Sequence, residues 1–363
     1  MPSVITQHPV DVLSRTVLWS GPPPYDKYGS TVLIDLGPVW IAVYLVSTAQ
    51  DVIDAGSRIH LRFSINQGLT WSDEDKYYDG SALTNVPFPP GAGRYYGDGY
   101  PCQCPNGDIL IHIPVGLAPS GAYLGTQQWR SSNGGKAWTD EGLIFGGGTH
   151  VFNHDGSMII NGVMYVSAAI FSSNMVFIDS NNFYKSLDNG HTWTFVSYIS
   201  RRLVDRSTTE AAMEWMGGTS IVAMLRGGNN PHDDSFLRYS NDLGLTWGPL
   251  VNFSNLRGGT SFERMRLRRI GSRIYATGRS RPNQAYQLVN CPVFWSDDEG
   301  ITWSITNSLN AAPFQNAGYG DMLRRGDRTF FYLCYEGTLD AASIIAYVID
   351  IPSHAKELDG WVV

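Results

Sequence analysis

The chain has 363 residues and a formal net charge of −7, with 16% charged and 43% hydrophobic residues. An acidic chain lacks the basic field that binds phosphate backbones, so composition argues against nucleic acid as the main partner. The 39 glycines and the 12% aromatic content favour an all-β protein, because glycine punctuates turns and aromatic rings pack on strands.

The N-terminal segment, MPSVITQHPVDVL, lacks the basic stretch and apolar stretch of a secretory signal, and no apolar run of transmembrane length follows it. Cys102 and Cys104 are too close together for the usual structural zinc pair, and Cys291 and Cys334 lie in apolar, strand-like runs. The sequence therefore predicts a soluble protein with buried thiols, no visible export signal and no metal or other cofactor.

Five segments share the pattern S-x-[DN]-x-G-x-[TA]-W, and we call them boxes 1 to 5. They are SINQGLTW (Ser64–Trp71), SSNGGKAW (Ser131–Trp138), SLDNGHTW (Ser186–Trp193), SNDLGLTW (Ser240–Trp247) and SDDEGITW (Ser296–Trp303). Their serines are separated by 67, 55, 54 and 56 residues, a period that fits one four-stranded antiparallel blade with its turns. The boxes and the C-terminal segment predict an all-β, six-bladed β-propeller over residues 1–363, with the N-terminal strand completing a last blade that lacks a box.

Each box is predicted to be a turn between two strands. The Asp or Asn at the third position hydrogen-bonds amides of its own turn, and the glycine adopts a positive φ. The tryptophan packs over the hydrophobic interior of the blade and pins the turn to it. The boxes therefore predict the architecture, and any chemistry must come from residues between them.

The box pattern resembles the Asp-box, or BNR repeat, of the sialidase superfamily, and the resemblance covers nearly the whole chain. Bacterial exo-sialidases have an acid/base Asp shortly before the first box. The resemblance assigns that role to Asp51, thirteen residues before Ser64, with Asp54 as a substrate-binding neighbour and an alternative for the same role.

The family's first blade carries an F/Y-R-I-P motif, whose arginine is the first of three that hold the substrate carboxylate. The corresponding stretch here, YDKYGSTVLID, has no arginine. Lys27 is the candidate replacement, although an ammonium group cannot form the bidentate fork of a guanidinium. This departure favours a non-standard acid, such as a Kdo-like or pseudaminic-type sugar.

Two further family intervals are present. The family has a Glu followed sixteen residues later by an Arg, which matches Glu210 and Arg226, with Glu214 as a competitor for the first position. A second family Arg lies about forty residues before a Tyr in a G-Y-S-x-L motif, which matches Arg279 and Tyr319 in AGYGDML. The following FFYLCYEG resembles the aliphatic-Y-E strand of the family.

These residues suit the hydrolysis of an acidic sugar. Arg226 and Arg279 would bind the carboxylate of a sialic or related ulosonic acid through charge-assisted hydrogen bonds. Tyr319 would be the nucleophile, because a neutral phenol avoids repulsion from that carboxylate, and Glu210 would take its proton. Asp51 would protonate the leaving oxygen and later activate water, so that the anomeric configuration is retained. The expected partner is a glycan or glycoconjugate with a terminal acidic sugar.

Three other features leave alternatives open. Tyr96, with Tyr95 and Tyr100, lies in the long first interval, and these rings could line a sugar subsite in a loop near the propeller mouth or simply pack. Arg264, Arg266 and Arg268 alternate with apolar residues, which predicts a strand with a charged face, either solvated or beside an anionic ligand. His150 and His154 would suit a polysaccharide lyase. A lyase, another acidic-glycan hydrolase and a noncatalytic glycan-binding propeller are therefore the competing hypotheses.

Overall fold

A computed structural model describes residues 7–8, 11–20, 27–47, 57–86, 94–117, 122–146, 151–171, 178–205, 208–227, 234–253, 261–281, 291–306, 309, 316–326, 328–337 and 342–351. All of its regular elements are strands. In chain order they are β1 (Gln7–His8), β2 (Asp11–Trp19), β3 (Lys27–Asp35), β4 (Trp40–Ser47), β5 (Arg58–Ser64), β6 (Arg94–Tyr96), β7 (Tyr100–Gln103), β8 (Ile109–Leu117), β9 (Ala122–Ser131), β10 (Thr139–Gly146), β11 (Val151–Ile160), β12 (Val163–Phe171), β13 (Ile178–Ser186), β14 (Thr194–Arg201), β15 (Thr208–Gly217), β16 (Ser220–Gly227), β17 (Ser235–Ser240), β18 (Val251–Asn252), β19 (Ser261–Ile270), β20 (Arg273–Arg281), β21 (Val293–Ser296), β22 (Ser304–Thr306), β23 (Asn316–Arg324), β24 (Thr329–Gly337) and β25 (Ala342–Asp350).

The strands form six sheets that are the blades of a β-propeller, which confirms the predicted fold class. Blade 1 is β3-β4-β5, blade 2 is β6/β7-β8-β9-β10, blade 3 is β11 to β14, and blade 4 is β15 to β18. Blade 5 is β19 to β22 with β1 added in parallel, and blade 6 is β23-β24-β25-β2. The N-terminal strand β2 is thus the outer strand of blade 6, where Asp11 pairs with Asp350.

Not every blade has the predicted four regular strands. In blade 1 the place beside β5 is taken by the segment after box 1, whose Ser72 and Asp75 amides donate to the Phe63 and Leu61 carbonyls at 2.8 and 2.9 Å. In blade 2 the inner strand is divided into β6 and β7, both paired with β8. Where a regular strand is missing or divided, these local hydrogen bonds still provide partners for the backbone amide and carbonyl groups.

The core consists of six hydrophobic clusters, one at each seam between neighbouring blades of the described chain. Strand alternation explains how one strand serves two seams, because successive side chains point to opposite faces. On β24, Phe331 and Leu333 face blade 1, whereas Tyr332 and Cys334 face blade 5. The thiols of Cys102, Cys104, Cys291 and Cys334 are all buried, as the sequence predicts for Cys291 and Cys334.

The box turns are built as predicted. In box 3 the Ser186 hydroxyl bonds Asp188 at 2.7 Å and accepts the Gly190 amide at 2.8 Å, while Asp188 accepts the amide and hydroxyl of Thr192 at 2.9 and 2.6 Å. Gly190 has a φ of +79°, and the residue before it, Asn189, is also left-handed at +57°. The turn is therefore closed by its own polar side chains.

The box tryptophans pack against hydrophobic clusters, as predicted, but each of these clusters lies at a seam between two blades. Trp71 of blade 1 lies against Phe331 of blade 6, Trp247 of blade 4 against Phe183 of blade 3, and Trp303 of blade 5 against Phe253 of blade 4. Each of these boxes contacts the preceding blade, because its turn extends across the seam. A box is therefore a contact between blades as well as a turn within one.

The first strands of the six blades together surround the propeller axis. Arg266 and Arg268 of β19 face this axis: Arg268 forms a bidentate ion pair with the fully buried Asp321 of β23, and Arg266 lies 3.8 Å from the same carboxylate. Met265 and Leu267, between them, are in the core. The charged face thus lines an axial cavity of about 250 Å³, together with Glu214 and the inner strands of blades 1 to 3.

The stretch predicted to be a loop near the mouth, Arg94–Cys104, instead supplies β6 and β7, which pair with β8 in blade 2; residues 87–93 lie outside the described residues. Thr84 pairs with Ala137 in box 2, and its amide donates to the Lys136 carbonyl at 3.0 Å. This part of the interval therefore lies on the box side of the propeller. Within the described residues, no helix is long and apolar enough to cross a membrane.

Candidate active site

Four of the sequence-predicted site residues meet at one place, and a fifth residue joins them there. Glu210 is near the start of β15, Arg226 near the end of β16, Arg279 near the end of β20, and Tyr319 near the start of β23. The fifth is Glu263, near the start of β19. In an antiparallel blade, the first residues of strand one and the last residues of strand two lie at the end opposite the boxes, which connect strands three and four. We call this end the mouth, and these five residues the mouth cluster.

The mouth cluster is held together by ion pairs. Arg226 Nη1 lies 2.9 Å from Glu210 Oε1, and its Nη2 lies 3.5 Å from Glu263 Oε1. Arg279 Nε donates to Glu263 Oε2 at 2.7 Å, and its Nη2 hydrogen-bonds the Tyr319 hydroxyl. The Arg279 guanidinium also lies 4.3 Å from the Tyr319 ring centroid. A continuous chain of contacts therefore runs from Glu210 to Tyr319 across blades 4, 5 and 6.

The cluster is largely withdrawn from solvent. The exposed fractions are 1% for Glu263, 4% for Arg279, 6% for Tyr319 and 7% for Glu210, whereas the Arg226 side chain is 21% exposed. Burial on its own lowers the pKa of Arg226, but the carboxylates of Glu210 and Glu263 outweigh this effect and raise that pKa above its ordinary value. Arg226 therefore stays charged and is the most accessible cation of the cluster.

A β-bulge near the start of the inner strand positions these side chains. The register shifts between Thr208 and Ala211 in β15, between Glu263 and Arg266 in β19, and between Gly318 and Asp321 in β23. Inner strands β3 and β11 shift at the corresponding place. A bulge inserts an extra residue, which re-aims the side chains beside it and is common next to active sites. Tyr319 lies inside the bulge of β23.

The backbone of Tyr319 adopts a φ of +47°, which is unusual for an aromatic residue. Both of its neighbours must be glycine because there is no room for a Cβ atom. A Cβ on Gly318 would lie 2.7 Å from Arg279 Cβ, and one on Gly320 would lie 2.5 Å from the Leu333 carbonyl oxygen. This explains the G-Y-G sequence. Such strain persists only where the surroundings determine the conformation, and it is concentrated at functional sites.

Hydroxyl groups from both neighbouring blades hold this bulge. Thr31 of blade 1 donates to the Tyr319 and Leu333 carbonyl oxygens, both at 3.0 Å, and Thr277 of blade 5 donates to the Gly320 carbonyl at 2.9 Å. The Tyr335 ring packs edge-on against that of Tyr319 at 5.5 Å. The position of the phenol is therefore fixed by three blades.

Glu263 was not among the sequence-predicted site residues, although the sequence contains a sign of it. It precedes Arg279 by sixteen residues, the same interval as between Glu210 and Arg226. In blades 4 and 5 alike, a Glu near the start of the first strand thus reaches an Arg near the end of the second.

The other predicted residues are not part of the cluster as described. Asp51, Asp54 and His150 lie outside the described residues. The backbone of Lys27 pairs with that of Ser47 at the mouth end of blade 1, but its side chain is outside the described part, as is that of His154.

Tyr96 does not line a sugar subsite in this structure. It is 3% exposed and packs in the core between blades 1 and 2, where burial raises its pKa to about 12. Tyr100, at 6% exposed, is likewise buried. The packed alternative considered from the sequence therefore describes both residues.

The carboxylates of Glu214 and Glu336 are held by contacts outside the mouth cluster. Glu214, the competitor of Glu210, lies at the axial cavity, where it accepts the backbone amides of Arg269 and Trp215 at 2.7 and 2.9 Å. Glu336, of the FFYLCYEG strand, forms a 2.9 Å ion pair with Arg15 of β2. Neither has a described contact with the mouth cluster.

No family model matches the chain, and no curated protein matches it in sequence. Among solved structures, a protein of unknown function from Dyadobacter fermentans superposes with a TM-score of 0.71 and 17% identity, over 94% of this chain and 99% of that one. Hadza microbial sialidase Hz136 superposes with a TM-score of 0.66 and 15% identity, over 89% of this chain and 66% of that one. The Trypanosoma rangeli sialidase, solved with sialic acid, gives 0.66 and 12%, over 99% and 61%. At this identity the similarity concerns the fold, and the chain has the six-bladed β-propeller fold found in sialidases.

Proposed function

We propose that this protein is a retaining exo-glycosidase of the sialidase type, which releases a terminal sialic acid or a related ulosonic acid from glycans. The observation that supports this most is the contact of Tyr319 with Arg279, in a cluster that also holds Glu210 and Arg226. Those four residues were selected from two separate sequence intervals, and they converge on the mouth.

In the proposed reaction, Arg226 and Arg279 bind the substrate carboxylate. The Tyr319 oxygen attacks the anomeric carbon while Glu210 takes the phenolic proton, and Asp51 protonates the departing glycosidic oxygen. The covalent glycosyl–tyrosine is then hydrolysed by a water that Asp51 deprotonates, and Glu210 returns the proton to Tyr319. Two displacements at the same carbon retain its configuration.

The surroundings of Tyr319 support this role. A guanidinium that donates to the phenol oxygen stabilises negative charge there, both when the proton leaves and when the bond between the anomeric carbon and that oxygen is later broken. Because the backbone of the bulge is fixed, Tyr319 loses little conformational entropy on reaching the transition state.

The decisive experiment is hydrolysis of aryl ketosides of N-acetylneuraminic acid, Kdo and pseudaminic acid by wild type, Tyr319→Phe and Tyr335→Phe. Wild type is expected to cleave at least one, Tyr319→Phe to lose the activity, and Tyr335→Phe, which alters the neighbouring ring, to keep most of it. The first released anomer, followed by NMR, should have the substrate's configuration. No cleavage of any ketoside by wild type, or full activity in Tyr319→Phe, would contradict the proposal.

One observation favours a second candidate, a glycosidase for a sugar without a carboxylate. Glu263 is almost fully buried and already pairs with both arginines, so the two guanidiniums and two carboxylates of the mouth cluster balance in charge. A site with no net charge binds an anionic group less tightly than a site with a net positive charge does. Cleavage of neutral aryl glycosides, together with inertness toward every ulosonic ketoside, would identify this second function.

A further inference from the structure

A second polar cluster lies apart from the mouth cluster, at the seam between blades 6 and 1. It consists of His60 on β5 and of Glu74 and Asp75, in the segment that follows box 1. His60 Nδ1 is 2.8 Å from Asp75 Oδ2 and 3.4 Å from Glu74 Oε1. The side chains of His60, Glu74 and Asp75 are 12%, 23% and 29% exposed, so the group is partly buried and still accessible to solvent.

The second oxygen of each carboxylate, that of Glu74 and that of Asp75, already accepts a hydrogen bond. Glu74 Oε2 accepts the hydroxyl of Tyr44 at 2.8 Å, and Asp75 Oδ1 accepts the backbone amide of Leu61 at 3.0 Å. These bonds fix the two carboxylates so that one oxygen of each turns toward the imidazole. Outer hydrogen bonds of this kind orient the ligands in metal sites.

The spacing of the three inner atoms fits a single cation. With metal–ligand distances of about 2.0–2.2 Å, ligand atoms are separated by about 2.8–3.1 Å in an octahedron and about 3.3–3.6 Å in a tetrahedron. The 2.8 Å separation of His60 Nδ1 from Asp75 Oδ2, a hydrogen bond in this structure, matches the octahedral spacing, and the 3.4 Å separation from Glu74 Oε1 matches the tetrahedral one. All three atoms lie within 4.8 Å of one another.

The charges in the cluster also favour a cation. Glu74 and Asp75 are adjacent in the sequence, and one oxygen of each faces the same imidazole, which brings two negative charges together. The nearby Arg62 directs its guanidinium elsewhere, since Nε donates to the Tyr44 hydroxyl and Nη1 to the Ser72 carbonyl oxygen, both at 3.0 Å. A cation between the two carboxylates would offset their repulsion.

We propose that His60, Glu74 and Asp75 bind one divalent transition-metal ion such as Zn²⁺. The imidazole nitrogen selects such ions over Ca²⁺ and Mg²⁺, which prefer all-oxygen sites. Because the ligands come from β5 and from the segment beside it, the ion ties that segment to blade 1 in the place of a regular fourth strand. The ring of Trp19, 6.4 Å from that of His60, places the outer strand of blade 6 beside the site.

The test is a calorimetric titration of chelator-treated, dialysed protein with ZnCl₂, with a parallel titration with CaCl₂. Wild type is expected to bind one equivalent of Zn²⁺ and to melt at a higher temperature with it. His60→Ala and Asp75→Asn should each weaken binding by about tenfold or more, since even outer-sphere changes cost about 10–100-fold. His191→Ala is the matched control: His191 is 56% exposed and lies 3.4 Å from the Glu141 carboxylate, outside the His60 cluster, so its loss should leave the titration unchanged.

Three results would overturn the proposal: no Zn²⁺ binding by wild type, unchanged affinity in both His60→Ala and Asp75→Asn, or binding of Ca²⁺ as tight as that of Zn²⁺. If either variant fails to fold without metal, X-ray absorption of the Zn²⁺-loaded wild type decides instead. A shell of one imidazole with oxygen ligands supports the site, and a shell without imidazole refutes it.

Discussion

The packing of each box against the preceding blade makes a sharp prediction for Gly244 in box 4. A Cβ added there would come within 2.5 Å of Cδ1 of Phe183, a fully buried residue of blade 3. Gly162, in the hairpin between β11 and β12, is the matched control: both glycines have a φ of +79°, but a Cβ at Gly162 meets nothing within 4 Å.

Both Gly→Ala variants share the strain of a left-handed backbone, which costs about 1–2 kcal/mol. Only Gly244→Ala also forces an atom into a packed seam, and such overpacking costs about 1–3 kcal/mol more. We therefore expect Gly244→Ala to lower the free energy of unfolding by about 1–3 kcal/mol more than Gly162→Ala, measured by urea denaturation.

A double variant tests the cause. In a Phe183→Leu background the ring is gone, so Gly244→Ala should cost about as much as Gly162→Ala, and the double-mutant cycle should show a coupling of about 1–3 kcal/mol. Equal losses in the two single variants, or no coupling to Phe183, would refute the inter-blade role of the box.

Three further predictions concern buried polar groups. Burial raises the pKa of Glu214 from 4.5 to about 7, so the folded state retains a proton that the unfolded chain releases. Wild type should therefore lose stability relative to Glu214→Gln as the pH rises from about 4.5 to about 7, by at most about 3 kcal/mol because the carboxyl borders the axial cavity; a pH-independent difference in urea midpoints would contradict this. Thr31→Val removes the hydroxyl that holds the Tyr319 and Leu333 carbonyls, so it should cost about 1–2 kcal/mol in unfolding and lower kcat more than it changes KM; unchanged stability would show that the bonds do not matter. Glu263→Gln leaves two buried guanidiniums with one carboxylate, so it should cost about 3–5 kcal/mol while lowering KM for an acidic ketoside, and a raised KM would argue against carboxylate binding at this place.

The sequence was most informative where structure is local. A box is closed by hydrogen bonds within eight residues, so its pattern predicted both the turn and, by repetition, the six blades. Four of the five box tryptophans contact an aromatic ring of another blade, as Trp71 contacts Phe331, and no local pattern reveals these partners.

The candidate site was partly predictable for a related reason. The sixteen-residue interval from Glu210 to Arg226 is the length of one hairpin, so it indicates that the two residues meet at the same end of a blade. Glu263 repeats this interval, but it precedes a run of arginines for which the sequence predicted a charged strand face, either solvated or beside an anionic ligand. Arg266 and Arg268 of that run line the axial cavity and pair with Asp321, a partner that comes from another blade.

The pairing of β2 with β25 has a consequence for how the chain is made. Asp11 and its partner Asp350 are separated by 339 residues along the sequence. At about 5–20 residues per second, a ribosome needs about 20–70 s to synthesise the chain between them. Throughout that time the first long strand has no partner for its blade, although it exposes Val12, Leu13 and Val17 even in the finished propeller. Blade 6 is therefore completed only after translation has passed through the other five, which makes ring closure a late, long-range step in which aggregation competes with folding.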